Sequence, residues 1–278
     1  MSTLAELDQQ LAKRYGGFAS YAHNVEPALV ETYGDSPADE VDRLLDKFAQ
    51  PASQVLDLGC GAGFTLCRLA PRVAAIWGFD QDADLLAAAR QRVADLQLAN
   101  ANLMLGDVVN PVDVAQLPDN CFDLVFSRRG PNVTAAMMPK LQPEAYIVQE
   151  LVRDPLGLLE SFGRKSFLAD VGDNPRWLVD EYSWLDLFPV SIKEYYYELF
   201  FRDADHLAAY LAQEKMLYSW PMPPMPYKES RDRAALDVYV RYNTTPKGVR
   251  VINHRMVYLF RRTRVQYAPA APEIRPME

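Results

Sequence analysis

An apolar run that breaks into glycines at alternate positions sets the strongest limit on the fold: Val55-Leu56-Asp57-Leu58-Gly59-Cys60-Gly61-Ala62-Gly63. Here a strand must turn abruptly into a helix while its backbone comes close to a ligand. Glycine enters the dihedrals required and leaves no Cβ in the way. The segment after it, residues 65–69, has helical spacing. The alternation then repeats. Residues 74–79 form a second apolar run, followed by an alanine- and leucine-rich helix over 83–94, and further runs lie at 102–105, 121–127 and 145–151. Strands alternating with helices predict parallel βαβ units, right-handed crossovers and helices on both faces of an α/β sheet.

Ahead of this core, residues 4–14 and 37–49 read as helices, with Asp35 or Ser36 capping the second and Pro37 in its first turn. Residues 1–50 are therefore expected as an N-terminal helical cap on a core spanning 51–202. The second half is less regular. Helices are predicted over 156–162, 176–187, 203–213 and 230–242, and strands over 192–201 and 249–261. Residues 219–227, SWPMPPMPY, are broken by prolines and cannot be regular structure. A helical insertion, 203–248, thus separates the last two strands and is expected to form a lid, with the glycine-bearing stretch Tyr15–Tyr21 closing from the other side. Residues 249–264 supply the last core strand, and the tail 265–278 is expected to be disordered.

The ligand is narrowed by what stands beside the glycines. A dinucleotide loop would place its third glycine at residue 64, where this chain has Phe64. Asp57, just before the turn, would repel a pyrophosphate and can accept hydrogen bonds from an ammonium group. These two differences favour a nucleoside that bears an amino acid. Asp80 ends the second run, 23 residues after Asp57, placed to accept both ribose hydroxyls. Asp107 ends the third run, so three acids stand in register at three successive strand ends.

The run Asp57–Gly63 resembles the first motif of class I S-adenosylmethionine-dependent methyltransferases, and Phe122-Asp123-Leu124-Val125-Phe126-Ser127 matches that family's fourth strand. The resemblance covers residues 36–155. It implies a Rossmann-like αβα sandwich with a mostly parallel, seven-stranded sheet, and S-adenosylmethionine as cofactor. It implies that Asp57, Gly59, Cys60, Gly61 and Gly63 lie under the methionine, that Asp80 meets the ribose, and that Asp107 stands beside the adenine amino group with Val108 against the ring. Methyl transfer is the activity it implies. The late insertion is similar to that of bacterial ribosomal-RNA guanine-N1 methyltransferases. Those enzymes also carry a zinc module built on cysteines, and this chain has no cysteine before Cys60.

For the acceptor, the segment after the fourth strand is the first place to look, because ligands of open α/β sheets lie beyond the carboxyl ends of the strands. It reads Ser127-Arg128-Arg129-Gly130-Pro131-Asn132, not the Asn/Asp-Pro-Pro-Tyr of enzymes that methylate exocyclic amines. Arg128 and Arg129 can clamp a carboxylate or phosphate through paired donors. The alternative is that one pairs with a helix carboxylate and the other is solvated. Glu150, at the end of the fifth strand, is the first choice for a general base, ahead of Glu160, His206 and His254. Tyr195 and Trp220 are expected as part of an aromatic wall around the acceptor, against a competing role in sheet packing.

Composition separates the remaining function classes. With 29 basic against 37 acidic residues the net charge is −8, which opposes a phosphate-reading surface. A small-molecule acceptor is therefore expected over a ribosomal or transfer RNA base. A non-catalytic protein that binds S-adenosylmethionine is the third possibility. The three cysteines, Cys60, Cys67 and Cys121, lack paired spacing and predict reduced thiols without a metal site. No window approaches the roughly 18 apolar residues of a membrane span. A cytoplasmic monomer or homodimer is expected.

Overall fold

The computed structural model describes residues 28–32, 34–153, 157–163, 176–214 and 227–263. The first elements are a short strand β1 (Leu29–Thr32) and helix α1 (Pro37–Phe48). Next come β2 (Gln54–Leu58), α2 (Phe64–Leu69), β3 (Ala75–Asp80), α3 (Ala83–Asp95), β4 (Ala101–Leu105) and α4 (Pro111–Ala115). The strands β5 (Phe122–Arg128) and β6 (Leu141–Arg153) complete the alternating part. The second half holds α5 (Leu158–Ser161), α6 (Trp177–Ser183), β7 (Leu187–Phe201), α7 (Ala204–Glu214), α8 (Glu229–Asn243), the two-residue β8 (Thr244–Thr245) and β9 (Gly248–Arg262).

These strands form one nine-stranded sheet in the order β1-β7-β9-β6-β5-β2-β3-β4, with β8 paired to β9. Strands β2 to β6 are parallel to their neighbours. Strand β9 is antiparallel to both β6 and β7, so β7 again runs with β6. The mostly parallel α/β fold is present, with two strands more than the expected seven. The additions are β1, which pairs antiparallel with the edge of β7 through Leu29–Phe200 to Thr32–Tyr197, and β8.

Two apolar layers sandwich the sheet. On one face Val55, Phe126, Val148 and Val257 meet Val41 and Leu45 of α1, Leu66 of α2 and Leu86 of α3. On the other, Leu56, Val125, Ile147 and Tyr258 meet Val114 of α4 and Leu178 and Tyr182 of α6. Each fully buried aliphatic side chain contributes roughly 1.5–3 kcal/mol. A third cluster forms where β7 and β9 run past the ends of the other strands. Leu199, Phe201 and Val251 are covered there by Leu159 of α5, Leu207 and Leu211 of α7 and Leu236 of α8.

Several boundaries differ from the sequence expectation. The segment expected as a helical cap contains the strand β1, and α1 packs on β6 and β9 as one of the sandwich helices. Its start is fixed by a capping box. Ser36 Oγ accepts from the Asp39 backbone N–H at 3.1 Å, and Asp39 Oδ2 accepts from Ser36 N–H at 3.1 Å. The helix predicted over 176–187 stops at Ser183, because Asp186 turns the chain through φ +56° into β7. The insertion helices α7 and α8 cover the extended β7–β9 hairpin and share its apolar core. The expected helix 4–14, the stretch Tyr15–Tyr21, Trp220, most of the proline-rich connector and the tail from 265 lie outside the described residues.

Candidate functional site

Strand β2 delivers the glycine loop to the centre of the sheet's carboxyl edge. Gly59 has φ +75° and Gly61 φ +53°, left-handed values that a side chain resists. They differ in what surrounds them. A Cβ on Gly59 would stand 2.9 Å from Pro131 Cδ and 3.2 Å from Gly130 Cα, so this glycine lets the Arg128–Pro131 turn approach the loop. A Cβ on Gly61 would meet nothing within 4 Å and would project into open space. The loop is braced from below by Arg92 of α3, whose Nε donates to Ala62 O at 3.2 Å and whose guanidinium lies 3.7 Å from the Phe64 ring centre. Sequence reasoning missed this brace, although an arginine in the last turn of α3 was visible. Cys60 is buried within the turn.

The three strand-end acids take distinct environments. Asp57 is 3 % exposed. Burial, and then the neighbouring Asp80, push its carboxyl well above the ordinary range, while Arg128 pulls the other way. Asp80 Oδ2 accepts from Gly61 N–H at 2.7 Å and Oδ1 from Asp82 N–H at 2.9 Å, which ties the loop to the end of β3. Burial raises the Asp80 carboxyl too, against the lowering effect of those backbone donors. Asp107 Oδ1 accepts from Val109 N–H at 3.0 Å, and its own N–H donates to Asp113 Oδ2 at 3.0 Å. Val108 beside it is 4 % exposed.

This arrangement suits a positively charged nucleoside that bears an amino acid. A buried carboxylate beside the loop favours a cation, and the space over Gly61 is the cradle that a Cβ would fill. Each Asp80 oxygen retains a second lone pair for a ribose hydroxyl. Residues 49–171 match the family described as "Methyltransferase domain". This stretch of the core is a methyltransferase domain. S-adenosylmethionine is its cofactor. Solved structures agree at the level of fold. A functionally unknown protein from Deinococcus radiodurans R1 superposes with TM-score 0.61 at 18 % identity, over 92 % of this chain and 99 % of that one. A candidate methyltransferase from Bacillus halodurans C-125 gives 0.56 at 14 % identity, over 81 % and 99 %. The [4+2]-cyclase SpnF gives 0.52 at 14 % identity, over 94 % and 92 %. Identities this low show a shared fold and leave the chemistry to the site. No curated protein matches the chain.

Toward the ends of β5 and β6 the residues expected around an acceptor, Arg128, Arg129 and Glu150, come together. Glu150 is 4 % exposed and lies between two guanidiniums, with Arg128 Nε 3.7 Å from Oε2 and Arg129 Nε 3.7 Å from Oε1. Arg128 is also held by helices, through Nη1 to Asp42 Oδ1 of α1 and to Thr65 Oγ1 of α2, both at 3.2 Å. This is the helix-carboxylate pairing that was the alternative to a clamp. Arg129 is not solvated as that alternative required. Its side chain is 21 % exposed, and its backbone takes φ +60° with N–H donating to Glu150 O at 3.0 Å.

The other candidates are spread more widely. Tyr195 turns toward α1, where burial, then Glu40 and Asp35, push its phenol up to about 12. His206 Nδ1 accepts from Arg202 N–H at 3.1 Å at the start of α7, and His254 stacks on Tyr196 at 4.4 Å. Asp123 accepts from Gln54 N–H at 2.6 Å and pins the start of β2. Among the described residues no group of three His, Cys, Asp or Glu is placed to hold a metal, and no helix is long and apolar enough to cross a membrane.

Proposed function

We propose that this domain transfers a methyl group from S-adenosylmethionine to a small-molecule acceptor. The observation that carries the reading is the burial of the polar groups beside Arg129: Glu150 at 4 % and Asn253 at 6 %. A nucleic-acid surface calls instead for exposed, excess basic charge, and this chain carries −8. The cofactor supplies an electrophilic methyl on a sulfonium.

The chain's own task is alignment, since in-line displacement depends chiefly on placing the reacting atoms. The Gly59–Gly63 backbone and Asp57 hold the amino-acid end, Asp80 the ribose, and Asp107 with Val108 the adenine. Glu150 was expected as a base at a strand end, yet β6 runs on to Arg153, and Arg128 and Arg129 occupy its surroundings. It is therefore assigned to holding those arginines. The test is transfer of labelled methyl from S-adenosylmethionine to a panel of small acids, amines and phenols, with total RNA as the competing arm. Label in RNA alone would reverse the acceptor assignment. Tight cofactor uptake without label in any arm would favour a binding protein.

A further inference from the structure

The extended part of β9 carries two polar side chains that the cofactor grip does not use. Asn253 lies opposite Tyr197, and Arg255 lies opposite Tyr195 on one side and Val152 on the other. Two strand positions separate Arg255 from Val257, the partner of Glu150. Odd positions of β9 share a face, so Asn253, Arg255 and Val257 point to the side on which Glu150 meets Arg129. Arg255 Nε and Nη2 both bond Tyr197 Oη, at 3.2 and 3.0 Å, which fixes the guanidinium and leaves its other nitrogen pointing elsewhere.

Four buried donors here have no hydrogen-bond partner: Arg128 Nε, Arg129 Nε, Arg255 Nη1 and Asn253 Nδ2. Burial lowers the Arg129 guanidinium from its ordinary value. Glu150 opposes that shift, and Arg255 and Arg128 add to it. Glu150 is the buried carboxylate between Arg128 and Arg129, while Arg255 adds a further positive charge beside Arg129. Burying donors and positive charge without a partner is costly, and an oxyanion satisfies both. The left-handed backbone of Arg129 is a second strained feature at the same point.

We propose that Arg129, Arg255 and Asn253 form a subsite for an anionic group of the methyl acceptor, a carboxylate or a phosphate. The proposal rests on the methyltransferase reading and names the acceptor's chemical class. The cofactor's own carboxylate is the competing occupant. It belongs over the β2 loop, and β9 stands three strand spacings from β2, roughly 14 Å. Arg128 is left as the clip that joins α1, α2 and Glu150.

The test is calorimetric titration of the full chain with inorganic phosphate and with acetate, alone and saturated with S-adenosylhomocysteine. Expected is anion uptake that persists in the saturated protein and falls about tenfold or more in Arg255→Gln, with S-adenosylhomocysteine affinity changed less than about threefold. Glu150→Gln, which removes the competing charge, should strengthen anion uptake. That opposite sign keeps the test decisive if Arg255→Gln fails to fold. Exclusion of the anion by S-adenosylhomocysteine, or equal loss of both ligands in Arg255→Gln, would assign the cluster to the cofactor and overturn the proposal. Absence of anion uptake by the wild type overturns it as well. Failure of the wild type to bind S-adenosylhomocysteine sinks the cofactor reading instead, and the anion arm is still read on the free protein.

Discussion

Replacing Gly61 by alanine separates a glycine kept for a ligand from one kept for the fold. At φ +53° an alanine pays the left-handed penalty, roughly 1–2 kcal/mol, and meets no neighbour within 4 Å. For a domain of this size the melting midpoint should drop by about 2–8 °C. Gly59→Ala carries the same backbone penalty and also drives a Cβ to 2.9 Å from Pro131 Cδ. That adds about 1–3 kcal/mol of overpacking. Binding should rank the other way for what each loss means. Gly61→Ala should stay folded and lose about tenfold or more in S-adenosylmethionine affinity, because its methyl enters the space over the loop. Thermal melts with calorimetric titration of both variants read the two effects separately. Unchanged affinity in a folded Gly61→Ala protein would show that no ligand approaches this backbone, and the cradle argument would fail.

Asp80→Ala should weaken S-adenosylmethionine by about 1.5–3 kcal/mol, ten- to hundredfold, in the same titration. For Asp57 the folded carboxyl is raised, so its contribution to the free protein is most favourable below about pH 4 and is lost as pH rises through the folded value. The stability of Asp57→Asn relative to wild type should therefore grow from pH 5 to 8, as read by denaturant melts, while cofactor binding is lost. A constant gap would contradict a raised carboxyl. Lys140 Nζ satisfies the carbonyls of Ala115 and Leu117 and pairs with Asp119 at 2.6 Å. Lys140→Met should cost about 1–3 kcal/mol in urea melts without changing cofactor affinity.

The parallel core was legible because its strands are continuous apolar runs closed by turn residues, and α1 because Ser36-Pro37 with Asp39 spells a capped start. Strand β1 was not legible. Leu29-Val30-Glu31-Thr32 has no pattern of its own and is a strand only by pairing with β7. Helix α4 was overlooked, although Asn110 before Pro111 is a cap signal and its side chain does accept from Val112 N–H at 3.1 Å. Among site residues, the loop glycines and strand-end acids follow from turn chemistry. The surroundings of Arg129 do not, since Asn253 and Arg255 lie more than 100 residues away and only sheet register brings them close.

The strands of the sheet also come from two lengths of the chain. The stretch shared with the family ends at residue 171, before β7 and β9 begin. The proposed anion subsite draws on both lengths, Arg129 from the first and Asn253 and Arg255 from the second, joined edge to edge in a single sheet. On the proposed reading, exchanging the hairpin would alter that subsite and leave the glycine loop and its acids in place.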